Sequence, residues 1–558
     1  MRNCADTGAI SNMEMRKIVV LLACFLLPVS GRIQEDGAKA SRVRHLFVQR
    51  DKPLPGSPKK LFKIEHEQPS RSSGGQNVNE LFRRVRRSLD PDMKPDATVF
   101  QLNDSHYMAY VHWAGDHRDT IVVLTRDRNP GSNSNSHVWI SRDYGHSFEN
   151  RTSSFMRTSG SGHNALIDMF YPSPIDNTKY LFVDVRNRLI FSTIDDCSTF
   201  VKSSPPFKPD ELSFHSTSSD VVLAYDESAS KLYYSSDFGY SWNLKDENVR
   251  SYYWGIPPLD NANTLYIERE EYDGGQSNVV KTEYFSNFAS KVISNVNDFE
   301  VFDNYMFATN HSSGSGLTLW VSLNRGKFQQ AQIPTVLATQ DFYVADASED
   351  QVFLAVTHNR RTTHLYISDT SGIKYSLSME RVLYFSQNTT SAWLRRYIDF
   401  SFVDLHKVMG LRGVYIASQL TQGRVGHRHI TTQITFDKGG LWQPVAAPEL
   451  DNNGKALNCS LANNCSLHLS QKFGQYYPRT RYSPMKSWSE APGIIMATGT
   501  YGTNLRLNGD IFLSSDAGLS WHMILQRPFW WYNLGDHGGV FHCCSKKHLN
   551  KPDLLQLE

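Results

Sequence analysis

The sequence predicts an all-β fold of the β-propeller class, and three observations carry that prediction. A short box of the form Ser/Thr-x-Asp-x-Gly-x-x-Trp/Phe recurs eight times between Ser141 and Trp521. Successive copies start 52, 42, 46, 41, 46, 67 and 79 residues apart, close to the roughly 40 to 50 residues that a four-stranded blade takes. Between the copies stand short aromatic and β-branched runs, and no long amphipathic helical window interrupts them.

The full or nearly full boxes are 141–148 (SRDYGHSF), 235–242 (SSDFGYSW), 435–442 (TFDKGGLW) and 514–521 (SSDAGLSW). Four are worn. In 193–200 (TIDDCSTF) Cys197 stands where Gly belongs, 281–288 (KTEYFSNF) has Glu283 for Asp, 322–328 (SLNRGKF) is one residue short, and 368–375 (SDTSGIKY) keeps Ser, Gly and the aromatic. The chemistry is that of a tight hairpin. Ser and Asp side chains hydrogen-bond turn backbone, Gly supplies positive φ, and the closing aromatic folds under the turn. The box is therefore a structural device rather than a site. The runs 120–124 (TIVVL), 180–183 (YLFV), 351–356 (QVFLAV) and 413–417 (GVYIA) read as strands. The two wide intervals predict insertions in the late blades, one of them carrying Cys459 and Cys465.

Before the repeats, Arg16 and Lys17, the apolar run 18–27 and the small residues 29–31 predict a secretory leader over 1–31, preceded by a polar extension. Ten apolar residues are too few to cross a bilayer, which takes about 20, and no later run is longer, so no membrane span is expected. Residues 32–87 are rich in Lys, Arg, Pro, Gly and Ser and read as a flexible propeptide. That segment ends at Arg84, Arg86 and Arg87 before Ser88, the Arg-x-Arg-Arg pattern that carboxylate-lined, furin-like convertases cut. The propeller is expected over 88–539, followed by a divergent tail over 540–558.

A net charge of +2 excludes a whole-chain electrostatic case for nucleic acid or an anionic membrane. Sequons at Asn103, Asn150, Asn310, Asn388, Asn458 and Asn464 agree with a luminal or secreted chain. In that oxidising setting Cys459 and Cys465 are candidates for a local disulfide, and Cys197, Cys543 and Cys544 leave an odd thiol. His542, Cys543, Cys544 and His548 lack the spacing of a zinc site, so no metal or other cofactor is expected.

Longer stretches are more specific than the boxes: 111–115 (VHWAG), 266–269 (YIER), 304–309 (NYMFAT), 343–353 (YVADASEDQVF), 365–386, 434–442, 491–499 (APGIIMATG) and 535–539 (GDHGG). With them the chain resembles the sortilin family of sorting receptors from about residue 95 to 540. The resemblance implies a ten-bladed propeller, a precursor whose propeptide is removed by a furin-like convertase and blocks ligand binding until then, and receptor traffic between Golgi, cell surface and endosomes. It implies peptide and protein ligands, and it matches Cys459 and Cys465 to a disulfide of the family. Eight boxes account for about eight blades. The family's later cysteine-rich modules, membrane helix and sorting tail are not in this sequence, so a membrane link is expected only through segments outside it.

Some relatives hold a ligand's terminal carboxylate with an arginine before an innermost strand; the corresponding place is Asn304, next to Tyr305. Asn cannot form the bidentate charged pair, so strand addition along a blade edge is the expected mode of capture. Charging of His112, His137, His163 or His406 at endosomal pH is an expected aid to release. Two rivals stand beside the receptor: a secreted ligand trap without an anchor, and a sialidase-like glycosidase using Tyr266, Glu268 and Asp404. The chain has no Arg-Ile-Pro segment of the kind sialidases carry, and it is expected not to be an enzyme.

Overall fold

The computed structural model describes residues 19–23, 97–102, 104, 106, 108–114, 119–126, 135–143, 145–158, 163–270, 276–312, 316–334, 339–359, 362–386, 401–422, 429–476, 485–489, 491–506, 509–526, 529–535 and 540–545. They form two compact units, the first built mainly on Gly75–Pro209 and the second on Asp210–His548. The processing site at Arg84, Arg86, Arg87 and Ser88, the propeptide, and the sequons at Asn103 and Asn388 lie outside the described residues.

Eight antiparallel sheets follow one another along the described chain, seven of four strands and one of five, and the seven use their strands in sequence order. Numbered by blade, they cover 108–150 and 169–203 in the first unit, then 211–246, 249–296, 298–330, 341–379, 405–444 and 466–525 in the second. The protein is all-β, of the β-propeller class. Every one of the eight boxes lies at the turn between the third and fourth strands of its blade, as in blade three, where 235–242 links Lys231–Ser235 to Asn243–Asp246.

The blades pack face to face, which explains why their strands read as continuous apolar runs and not as alternation. Tyr180–Asp184, Leu189–Thr193 and Val222–Asp226 are buried at every position. In the first unit Val122, Leu124 and Ile140 of blade one meet Phe170, Phe182 and Phe191 of blade two. In the second, Phe307, Leu319 and Val321 of blade five meet Phe342, Leu354 and Val356 of blade six, and Ile416 and Ile434 of blade seven meet Ile495 and Phe512 of blade eight. A Phe or Ile enclosed on such a face contributes roughly 1.5–3 kcal/mol.

The wide intervals hold the extra structure expected of them. Between boxes six and seven, Tyr384–Phe385 pairs with Phe402–Val403. Between boxes seven and eight lie the loop closed by the Cys459–Cys465 disulfide and the short helix Lys472–Tyr476. Here the first-strand position of blade eight is divided: Ser466–Leu469 pairs with one half of the long strand Ala491–Gly502, and Lys486–Trp488 with the other. Beyond blade eight, Phe529–Gly535 pairs with Val540–Ser545, so the first residues of the segment set apart as a tail form a strand. Val19–Ala23, inside the apolar run read as a leader, pairs with Ala97–Gln101. Among the described residues no helix is long and apolar enough to cross a membrane.

Candidate ligand-binding edge and the residues around it

The boxes are closed, self-satisfied turns. In blade three the Ser235 hydroxyl donates to Asp237 Oδ1 at 2.8 Å and accepts the Gly239 N–H at 2.7 Å, while the Ser241 N–H donates to the same carboxylate at 2.9 Å. The same set recurs at Ser141/Asp143/Gly145/Ser147 and Ser514/Asp516/Gly518/Ser520. Partial burial works to raise Asp143, Asp195, Asp237 and Asp516, but the hydrogen bonds from the residue four positions on outweigh it and hold these carboxyls below their usual range. In boxes two, three, seven and eight, residues four and five both take positive φ, for example Phe238 at 57° and Gly239 at 84°. Cys197 adopts φ 62° in the Gly place and donates its N–H to Thr193 Oγ1 at 3.1 Å. Its thiol is buried and unoxidised, and burial pushes its pKa up. With carboxylates and hydroxyls engaged by their own backbone, the boxes leave little with which to hold a ligand.

Asn304 does not stand before an edge strand. Blade five is ordered Asp298–Phe302, Tyr305–Ser312, Gly316–Leu323, Gln329–Gln330, so Asn304 sits in the hairpin between the first and second strands, where its carbonyl accepts the Asn324 N–H at 2.7 Å. Tyr305 is a core residue, 1% exposed, with its hydroxyl donating to the Thr370 carbonyl at 2.8 Å. It has no face left for a ligand. An arginine does reach this hairpin, Arg325 from the worn fifth box between the third and fourth strands: Nη1 donates to the Asp303 carbonyl at 2.9 Å and Nε to Asp260 Oδ2 at 2.8 Å. Asp260 also accepts the Tyr266 hydroxyl at 2.6 Å and Lys281 Nζ at 3.2 Å. Arg325 is thereby spent inside the protein. The sequence gives no local sign of this pair, because its members lie 65 residues apart.

The other glycosidase candidates are also committed to the interior. Glu268 accepts the Ser251 hydroxyl at 2.7 Å and faces Arg250 at 3.6 Å. Asp404, 1% exposed, accepts the Phe473 N–H at 3.1 Å. Burial raises the Asp404 carboxyl to about 6, against hydrogen bonds from Ser418 and Phe473 and the charge of Lys472. The sign follows from linkage. The folded state binds the proton more tightly than the unfolded chain, so this group's contribution falls as pH rises from about 4 to about 6, by roughly 3 kcal/mol for the full shift. Asp404→Asn is therefore expected to equal or exceed the parent in stability at neutral pH and to flatten its stability profile over pH 4–6.5; denaturant midpoints across that range check it.

Of the histidines, His112 is buried against Phe170 and Tyr180, His406 Nε2 lies 3.0 Å from the Ser487 hydroxyl, His163 is exposed, and His137 faces Asp104 at 2.9 Å. None of the four lies on the edge described next. Among the sequons, Asn150, Asn458 and Asn464 are exposed and Asn310 is half-buried.

What remains is the exposed edge of each blade. The fourth strands are the exposed ones, and three are stubs: Glu149–Asn150, Gln329–Gln330 and Gln443–Pro444 have two residues each. Blade four differs, because its fourth strand, Ala289–Val296, runs for eight residues. Phe288, 78% exposed, stands at its start, and Phe285, 54% exposed, lies three residues earlier in the worn fourth box. Pairing to Ser277–Glu283 is regular at Ala289, Ser290 and Lys291 and shifts register beyond them. The bulged stretch and Lys291 blunt pairing between copies of the chain. The regular stretch lies at the edge of its sheet, exposed at Ser290 and Lys291 and next to two exposed aromatic rings, the elements that strand addition requires. Lys245 ties the underlying turn, its Nζ donating to the Glu283 and Ser286 carbonyls.

The family profile described as Sortilin-Vps10, "Sortilin, neurotensin receptor 3", matches residues 136–554. The chain belongs to the Sortilin-Vps10 family. The Sortilin-Vps10 match extends past Gly539 through most of the segment set apart as divergent. The chain is 40% identical to a sortilin-related receptor of Mus musculus over 82% of this chain and 21% of that protein. It is 38% identical to one of Oryctolagus cuniculus over 87% of this chain and 22% of that protein. A further relative, the VPS10 domain-containing receptor SorCS3 of Homo sapiens, is 30% identical over 81% of this chain and 36% of that one. The chain thus spans about a fifth of the length of the sortilin-related receptors it matches. Among solved structures, YCF48 from Cyanidioschyzon merolae aligns at a TM-score of 0.28 and 12% identity over 62% of this chain and 94% of that one, too distant to bear on the argument.

Proposed function

We propose that this chain is the ligand-binding luminal part of a sorting receptor, which takes up peptide and protein segments for carriage between Golgi, cell surface and endosomes. The observation that carries this reading is the match to sortilin-related receptors over 82–87% of the chain. On this reading a furin-like convertase cuts after Arg87, and residues 32–87 guard the ligand site until that cut. Capture is by strand addition on Ala289–Val296: backbone hydrogen bonds to the open edge supply affinity, and Phe285 and Phe288 supply apolar anchors. Without its anchor the same surface would serve as a soluble trap, with identical binding. Hydrolysis has no support in the site, since Tyr266, Glu268 and Asp404 are each held by interior partners.

The test is binding of a synthetic 32–87 peptide to purified 88–558. Saturable binding is expected, and Phe288→Asp is expected to weaken it by roughly tenfold or more, about 1.4 kcal/mol. Absence of binding to a monodisperse, folded protein would remove the propeptide as guard. Unchanged binding by the Phe288 variant would move the site elsewhere.

A further inference from the structure

Where the chain enters blade one, four side chains close around one carboxylate. Asp104 is fully enclosed. Its Oδ1 accepts the His106 backbone N–H at 2.9 Å and faces His106 Nδ1 at 2.6 Å. Its Oδ2 accepts the Thr125 hydroxyl at 2.5 Å and the Trp139 indole N–H at 3.2 Å, and faces His137 Nδ1 at 2.9 Å. The second ring nitrogen of His106, Nε2, lies 2.8 Å from Asn135 Oδ1.

His106 is therefore flanked by two oxygens that accept. A neutral imidazole carries a single N–H. When Nε2–H donates to Asn135, the Nδ1 lone pair faces a carboxylate oxygen, an arrangement that a cation between them satisfies. A proton or a metal ion can do so, and three features favour the metal. Two imidazole nitrogens and a carboxylate oxygen lie within 4.8 Å of one another, a donor set that zinc and its neighbours take. Two of the three donors are held from behind, His106 by Asn135 and Asp104 by Thr125 and Trp139, as metal ligands are. The His137 side chain is 31% exposed, which gives an ion a way in.

We propose that Asp104, His106 and His137 form a divalent-metal site, with zinc as the fitting ion and a fourth position open to water on the His137 side. Ligands at about 2.0–2.2 Å from a tetrahedral centre stand a little over 3 Å apart. Both histidine contacts must therefore open, the one to His137 by rotation of its partly exposed ring and the shorter one to His106 by a shift of that enclosed ring.

The experiment uses the full chain with Cys543→Ser and Cys544→Ser, since those thiols could bind zinc independently. Chelator-stripped protein is titrated with zinc in a chelator-competition assay and with cobalt(II) as an absorbing substitute. Expected are one ion per chain, the visible band of tetrahedral cobalt, and affinity more than tenfold weaker in His106→Gln and in His137→Gln separately. The partial exposure of His137 makes its variant the one that keeps the fold. Absence of stoichiometric binding, or binding indifferent to both substitutions, would overturn the site. A His106 ring that stays doubly protonated at neutral pH and does not respond to zinc would show that a proton is the bridging cation.

Discussion

Asp260→Asn is expected to destabilise the larger unit by about 3–5 kcal/mol, the cost of removing one partner of a buried ion pair. Asp260 has no exposed side-chain surface and Arg325 is 9% exposed, so the guanidinium left behind cannot recover its hydration. The same substitution disturbs the bond from Tyr266 and the contact with Lys281. Adding Arg325→Met is expected to restore part of the loss, because it removes the orphaned charge. Equilibrium denaturation of the single and double variants measures both, and a single-variant loss below about 1 kcal/mol would contradict this account of the pair. Burial works to raise Asp260, but the Tyr266 hydrogen bond and the Arg325 charge outweigh it and lower the carboxyl. Its stabilisation is accordingly full above the unfolded value near 3.8 and disappears as pH falls through the lower folded value.

Gly439→Ala is expected to cost about 2–4 kcal/mol, from two causes that act together. Gly439 has φ +85°, a region that costs an L residue roughly 1–2 kcal/mol. A Cβ there would stand 2.7 Å from Phe353 Cε1 and from Ser378 Oγ, both in blade six, and overpacking of this kind adds about 1–3 kcal/mol. Ser378 also donates to the Gly439 carbonyl at 2.6 Å and accepts the Trp442 indole N–H at 2.9 Å, so the turn is a joint between blades six and seven. Cys197, which occupies the matching place in blade two, shows that a side chain is tolerated only where the neighbouring packing admits it. Loss of stability in the Ala variant, measured by thermal and urea denaturation, checks the claim.

The repeat was legible because the box encodes a turn through local chemistry alone. Hydroxyl, carboxylate and positive-φ residue lie within five positions, so even worn copies such as 193–200 keep their place between third and fourth strands. The strands were legible because both sheet faces are buried, which writes each as an apolar run. Tyr305 was misread because an aromatic beside a polar turn residue looks the same in sequence whether it lines a ligand site or a blade interior. Arg325 escaped notice because its partner Asp260 belongs to another blade, and the Asp104 cluster because His137 lies 33 residues from the carboxylate it faces. Nothing in a sequence marks one fourth strand as long and open, so the Ala289–Val296 edge emerged only from the fold.

Hydrogen exchange of the 88–558 protein with and without the 32–87 peptide tests the ligand-binding claim most directly. The account predicts slowed exchange of amides in Ala289–Val296 when peptide is bound, with little change at the Asp303–Asn304 hairpin. Protection at that hairpin, or an edge strand that exchanges equally in both states while the peptide is bound, would contradict it.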